Sequence, residues 1–338
     1  MNVEHLGDVW DRLRAAPVAE VGAALLSSAL MCALLGVVVG VAVVVMRRRV
    51  RAGDPVGRTG GDERALAGTA IAVGAVWFVD LVMRGYVLDL SATTAWWQFA
   101  VAPAAAGASL CVFALALRTS GTRARVTPGV VARRTWRSYG PTGSVIGSFG
   151  ALLVGAGVVT VAFGAASTHS QAGSSDRIAL GIPNTDLDPI VVTFPGWTYG
   201  LPFLLALGTL TLATILALRR NAVRPFRDGV SLDDERARRR RISTGVVMVA
   251  TAGVLLGLAG LLRMAQSAAA GSMTVSGDGM PPMTYAIASP YGELLVFGGV
   301  VASVMQIAVS AMLTALVVDA AWAQWGLVGR PAPAGALG

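Results

Sequence analysis

The chain has 338 residues, of which 54% are hydrophobic and 14% charged, with a formal net charge of +8 and a mean hydropathy of +0.65. So few charges on so apolar a chain exclude an ordinary soluble domain and point to a protein dissolved in a bilayer. All 27 basic residues are arginine, which removes the chemistries that require lysine: the GxxxxGK[ST] phosphate loop, Schiff bases and lysine general bases.

Residues 1–19 read as an external amphipathic segment. In "NVEHLGDVWDRLRAA" Val3, Leu6, Trp10 and Leu13 recur three or four apart, while Glu4, Asp8, Asp11 and Arg12 fill the other face. Pro17 separates this segment from the first of seven apolar runs, at about 20–46, 66–87, 95–117, 143–166, 200–218, 243–262 and 294–318. Each is long enough to cross ~30 Å of hydrocarbon as a helix. The first run is no secretory signal, because its leader carries acids, the run is too long, and it ends in "MRRRV" rather than a cleavage site. The expected fold is therefore all-α, a seven-span bundle over residues 20–338.

Charge orients the bundle. The connections after spans one, three and five carry 6, 6 and 9 arginines, and with Arg330 they place 22 of the 27 on one side. The opposite side holds Arg12, Arg14, Arg84, Arg177 and Arg263 with eleven of the nineteen acids. By the positive-inside rule the N-terminus is outside and the C-terminus inside, as in a multi-pass plasma-membrane protein. The arginines are spread over three loops without a reading motif, so no nucleic-acid partner is expected. Anionic lipid headgroups at the arginine-rich inner loops are the natural partner.

The inner connections have features of their own. "RRRVRAGDPVGRTGGDER" is loop-like in its Gly, Pro and Asp content, and "RVTPGVVARRTWRSYGP" sets Trp136 and Tyr139 among arginines at headgroup level. "SLDDERARRRRIST" has Ser231 and Asp234 at capping-box distance, with Asp234 to Arg238 and Glu235 to Arg239 at i,i+4. Span six is expected to begin as a helix well inside the cytoplasm and to run straight into the bilayer. The outer loops 167–199 and 263–293 are rich in Ser, Gly, Pro and Thr, and "IVVTF" in the first suggests a strand in a small external cap. "TYGLPFLL" and "PYGELLVF" enter spans five and seven alike, which fits either a repeated helical hairpin or shared interfacial chemistry.

"FPGWTYGLP" reads as the place where the chain enters the membrane. A Pro-Gly turn with positive φ at the glycine is expected, followed by Trp197 and Tyr199 as interfacial anchors and Pro202 in the first helical turn. Trp136 and Tyr291 are anchors of the same kind. Within the spans, Asp80 and Arg84 stand at i,i+4 and form either a local ion pair or a vestibule contact, and Gln306 lies between Ser303 and Ser310 as a hydrogen-bonding or pathway residue. Gly36/Gly40, Ala151/Gly155, Gly253/Gly257 and Gly298/Ala302 allow close helix approach, and Pro103 should kink span three or sit where neighbours re-satisfy the freed carbonyl.

Enzymatic readings find little support. His5 and His169 form no HExxH pair, and Cys32 and Cys111 form no CxxC, so neither a metal site nor a redox pair is indicated. "NTDLDP" begins like a calcium loop but lacks its glycine and its closing acid, and His169 with Ser167 or Ser170 and Asp176 has no spacing that demands a triad. No catalytic residue, cofactor or metal is expected. The "FPGWTYGLP" segment, the arginine-rich inner loops and the Ala/Gly/Val/Arg bias resemble multi-pass integral membrane proteins of high-GC Gram-positive bacteria, some of which accompany ABC-transporter components. The resemblance implies a transport-associated membrane subunit, permease-like or accessory. An ABC ATPase or other cytoplasmic protein would then meet the Trp136 segment and the helix from Ser231. The alternative is a sensor or scaffold that relays an external signal to a cytoplasmic partner.

Overall fold

The computed structural model describes residues 28–50, 61–88, 93–119, 141–169, 172–181, 189–224, 231–275, 283–286 and 292–328. The amphipathic N-terminal segment, Trp136, Tyr291, Ser170 and positions 184–188 lie outside them. The helices are α1 (Ala29–Val50), α2 (Gly61–Val82), α3 (Val101–Thr119), α4 (Gly143–Thr168), α5 (Trp197–Val223), α6 (Leu232–Ala269) and α7 (Gly292–Val328). Seven helices are long and apolar enough to cross a membrane. Hydrocarbon cannot satisfy a bare peptide group, so each crossing segment closes its own backbone hydrogen bonds as helix. The chain is an all-α, multi-pass membrane protein.

α6 is the axis of the bundle. In its most apolar window 72% of residues are buried, against 17% for α4 at the edge. It packs on α7, α3, α5, α4 and α2, while α1 reaches the bundle by lying along α7. Its 38 residues make a rod of about 57 Å, nearly twice the hydrocarbon thickness. Ser231 caps the helix as its place in the sequence suggests: its hydroxyl accepts the Asp234 N–H at 3.2 Å and donates to Asp234 Oδ2 at 2.7 Å, and the charged segment after it continues into the apolar span without a break.

Two of the small-residue pairs set helix contacts. A Cβ on Gly36 would lie 2.5 Å from the Ile307 carbonyl, and one on Gly40 2.6 Å from that of Ala311, so α1 and α7 touch backbone to backbone. A Cβ on Gly253 would stand 2.7 Å from Ala106 Cβ and one on Gly257 2.7 Å from the Phe99 carbonyl, which brings α3 as close to α6. Gly155 faces open space and Gly298 has only Leu262 at 3.6 Å, so the same spacing there closes no tight contact within this chain.

Pro103 is the third residue of α3, after a 3-10 turn at Gln98–Ala100, so it begins the helix and has no preceding turn to kink. α5 starts at Trp197, three residues earlier than expected, which puts Pro202 one turn deeper than the first. Both long connections hold an antiparallel hairpin: β1 (Arg177–Leu180) with β2 (Ile190–Thr193), and β3 (Ser272–Val275) with β4 (Met283–Ala286). They are separate two-stranded sheets. The first rests on the bundle through Phe194, which packs with Phe163, Ala265 and Ala268.

Candidate functional site

Three clusters of the described polar residues stand out, two toward the hairpin end of the helices and one at the arginine-rich end, where Arg48 of α1 also meets Asp319 of α7 at 3.5 Å and lies 5.1 Å from the Trp322 ring centre. Near the end of α2 the helix widens into a π-turn at Met83–Val87, which aims Arg84 at the following connection. Arg84 Nε donates to Asp80 Oδ1 at 3.2 Å, and Nη1 donates to Gln98 Oε1 at 3.1 Å and the Thr93 carbonyl at 3.4 Å. Its guanidinium also lies 4.8 Å from the Trp97 ring centre. This clasp ties the α2–α3 connection to α2, and the guanidinium is engaged on several sides.

The second cluster joins α1, α6 and α7. Gln306 is buried, and its Oε1 accepts no hydrogen bond from the described residues. One turn away, Arg263 Nη2 donates to Ser303 Oγ at 3.3 Å and approaches Cys32 Sγ at 3.5 Å. Ser303 itself donates to the Gly299 carbonyl, and Ser310 packs against Gly36 instead of joining the cluster. Arg263 is thus drawn into the bundle, where position and charge alone read it as an outer-loop residue.

The third cluster is the candidate site, because it buries the most charge. Arg239 is 0% exposed, Glu235 1%, Asp62 4% and Arg224 8%. Arg239 Nε donates to Glu235 Oε1 at 3.0 Å, while Nη1 and Nη2 donate to the carbonyls of Ala222 and Arg224 at 2.9 and 2.8 Å. Those carbonyls close α5, whose last turn has no internal donors for them, so an α6 side chain caps α5. Arg224 in turn bonds Glu235 Oε1 at 3.3 Å and pairs with Asp62 of α2, which also holds Arg238 at 2.8 Å. Deeper in, Asn221 Nδ2 donates to the Arg239 carbonyl and to Ser243 Oγ. Three guanidiniums and two carboxylates knit α2, α5 and α6 together at one level.

Local spacing captures only part of this. The Glu235–Arg239 pair is present but buried, whereas Arg238 turns from Asp234 toward Asp62. Asp62 sits in the first turn of α2, where the helix N-terminus favours an acid, and that position was the one signal for its role.

The anchors behave differently from one another. Trp197 is half-buried and its ring covers Gly164 of α4, leaving no room there for a Cβ. Tyr199 turns into the core, 5.8 Å from Phe99 in an edge-on contact. Gly196 is extended, with φ −77°, so the Pro-Gly turn uses no positive φ. The glycine is required for space, since a Cβ there would strike the Ser175 carbonyl and the Ser167 side chain. Ser167 donates to the Gly164 carbonyl within its own helix, and His169 is exposed at the end of α4. Cys32 is buried and Cys111 half-buried, and neither forms a disulfide. No family model matches the chain, nor does any curated protein or solved structure.

Proposed function

We propose that the protein is the membrane-embedded accessory subunit of a transport assembly, with no catalysis of its own, and that the first turns of α6 receive a cytoplasmic ATPase. One observation carries this reading: the charged start of α6 reaches beyond the apolar span while Arg239, Glu235, Arg224 and Asp62 hold it to α2 and α5. A projection held that way transmits force instead of bending, as a coupling element must. Asp233, Asp234 and Arg236 are exposed on it and are the side chains a partner would meet. The arginine-rich end is taken as cytoplasmic on the charge asymmetry of the connections.

A second reading is favoured by the other end of the same helix. Phe194, beside the β1–β2 hairpin, packs on Ala265 and Ala268, so a ligand held by the hairpins would bear on the rod that carries the buried ion cluster. In that reading the chain is a sensor or scaffold. Purification in mild detergent separates the two. An ATPase retained by the native chain and lost from Asp233→Arg/Asp234→Arg supports the accessory subunit, a kinase or regulator retained in its place supports the relay, and identical retention by both chains removes the α6 docking surface.

A further inference from the structure

Between α4 and α7, over the face of α6, lies a crevice of about 240 Å³ lined by Ser144, Val145, Phe149, Val247, Thr251 and Met312. That volume falls below the roughly 300–1,000 Å³ of a typical small-molecule pocket. The lining is almost wholly aliphatic and aromatic apart from hydroxyls, and the opening lies between two helices of the bundle wall. Such a slot receives a segment of hydrocarbon chain more readily than a polar solute.

What lies below it on α6 gives the occupant a charge. Arg240, Thr244, Val247 and Thr251 follow one another at steps of four, three and four residues, so they share a face, with Met248 four residues after Thr244 beside them and Arg241 flanking it. Arg240 precedes Val247 by a helical rise of about 10 Å, the scale that separates a lipid phosphate from the upper part of its acyl chain. The arginine run is divided by function. Arg236 pairs with Asp233, Arg238 with Asp62 and Arg239 with Glu235. Arg240 and Arg241 are exposed and pair with no acid among the described residues. Two exposed guanidiniums below an apolar slot match a phosphodiester above whose glycerol hangs an acyl chain, and guanidinium is the side chain best shaped for bidentate phosphate contact.

We propose that this crevice is a stoichiometric site for one anionic phospholipid, with an acyl chain against Val247, Thr251 and Met312 and the headgroup on Arg240 and Arg241. The lipid fills the gap between α4 and α7 and completes the edge of the bundle. This is a specific site, distinct from the diffuse attraction of anionic leaflets for basic loops.

Native mass spectrometry of the full chain, exchanged into phosphatidylglycerol or into phosphatidylcholine of the same acyl composition and then washed with detergent, tests it. One retained phosphatidylglycerol per chain is expected, with phosphatidylcholine removed. Arg240→Gln/Arg241→Gln should weaken retention by about fivefold for each arginine removed, with the melting temperature held. Thr251→Phe should fill the slot and release the lipid. Equal retention of both lipids, or retention that survives the arginine variant, overturns the proposal. So does a dimer that Thr251→Phe dissociates, since a second copy would then occupy the crevice.

Discussion

Arg224 and Asp62 stand 162 positions apart and meet as a buried ion pair, each less than a tenth exposed. The pair joins the end of α5 to the start of α2, across two other crossings in the chain order, and makes the arginine-rich end of the bundle a single unit. Asp62 is its hinge point because one carboxylate holds two guanidiniums, those of Arg224 and Arg238. Replacing it with alanine takes one of its two carboxylates from Arg224 and the Asp62 pair from Arg238 at a buried site, and breaking such buried pairing should cost about 3–5 kcal/mol. Asp233→Ala, at a side chain 90% exposed in its pair with Arg236, should change stability by less than about 1 kcal/mol. Thermal denaturation of the two variants in one detergent measures the contrast, and equal melting temperatures would contradict the buried pairing.

Arg239 has two duties that a double substitution can pull apart. Replacing a buried ion pair by apolar residues of similar size is often neutral, so Glu235→Leu/Arg239→Met would be benign if charge pairing were all that mattered. The guanidinium also caps α5 through the Ala222 and Arg224 carbonyls, and each carbonyl left bare costs about 1–3 kcal/mol. Arg224 loses one of its two acids besides. The double variant is therefore expected to remain destabilised, with hydrogen exchange accelerated in the last turn of α5. Full recovery of native exchange there would remove the cap from the account.

Glycines of like spacing separate by what faces them. Gly36→Ala puts a methyl within 2.5 Å of the Ile307 carbonyl and of Ser310 Cβ, and since α1 packs on the bundle along α7, the shift must open that seam. An overpacking cost of about 1–3 kcal/mol is expected. Gly155→Ala meets nothing within 4 Å and should stay within about 0.5 kcal/mol of the native chain. Disulfide trapping between cysteines placed on α1 and α7 reports the seam directly and should slow only in Gly36→Ala.

Much of the fold was legible because the bilayer imposes simple local rules: an apolar run of sufficient length becomes a crossing helix, and Ser231 followed by Asp234 becomes a cap. The ion cluster was not, because it depends on which of four consecutive arginines point inward. Steps of about 100° per residue send Arg238 and Arg239 to the bundle and Arg240 and Arg241 away, and the phase of that rotation is set by α2 and α5, far off in sequence. Asp62 had the composition of a loop around it, with "RTGGDER" suggesting a wet position, yet it is 4% exposed. Tyr199 has the amphipathic ring of an interfacial anchor, but the earlier start of α5 carries it onto Phe99. Ala151/Gly155 and Gly36/Gly40 are alike as patterns, and only the neighbour decides which pair is a contact.

The Asp80–Arg84 pair is expected to act on order near the hairpin end more than on partner binding. Arg84→Ala removes the bonds to Asp80, Gln98 and the Thr93 carbonyl together with the contact to Trp97. Amides of residues 93–98 should exchange faster by about tenfold or more, in line with roughly 1–2 kcal/mol of lost local stability. Retention of any cytoplasmic partner should be unchanged. A lost partner with unaltered exchange would make Arg84 a recognition residue and revive the vestibule reading.

Orientation decides whether the buried ion cluster can serve a cytoplasmic protein at all. The connections at that end hold 22 of 27 arginines, and moving one guanidinium through the bilayer centre costs about 2.5–3.5 kcal/mol on insertion scales, so the arginine-rich end should stay on the side of synthesis. Replacing Cys32 and Cys111 by serine gives a thiol-free background, into which Ser174→Cys and Asp233→Cys are introduced at exposed positions on opposite ends. A membrane-impermeant maleimide should label Ser174→Cys in intact cells and Asp233→Cys only after permeabilisation. The opposite pattern would place α6's charged projection outside the cell, where no ATPase could reach it, and would leave the hairpins as the surface available to a cytoplasmic partner.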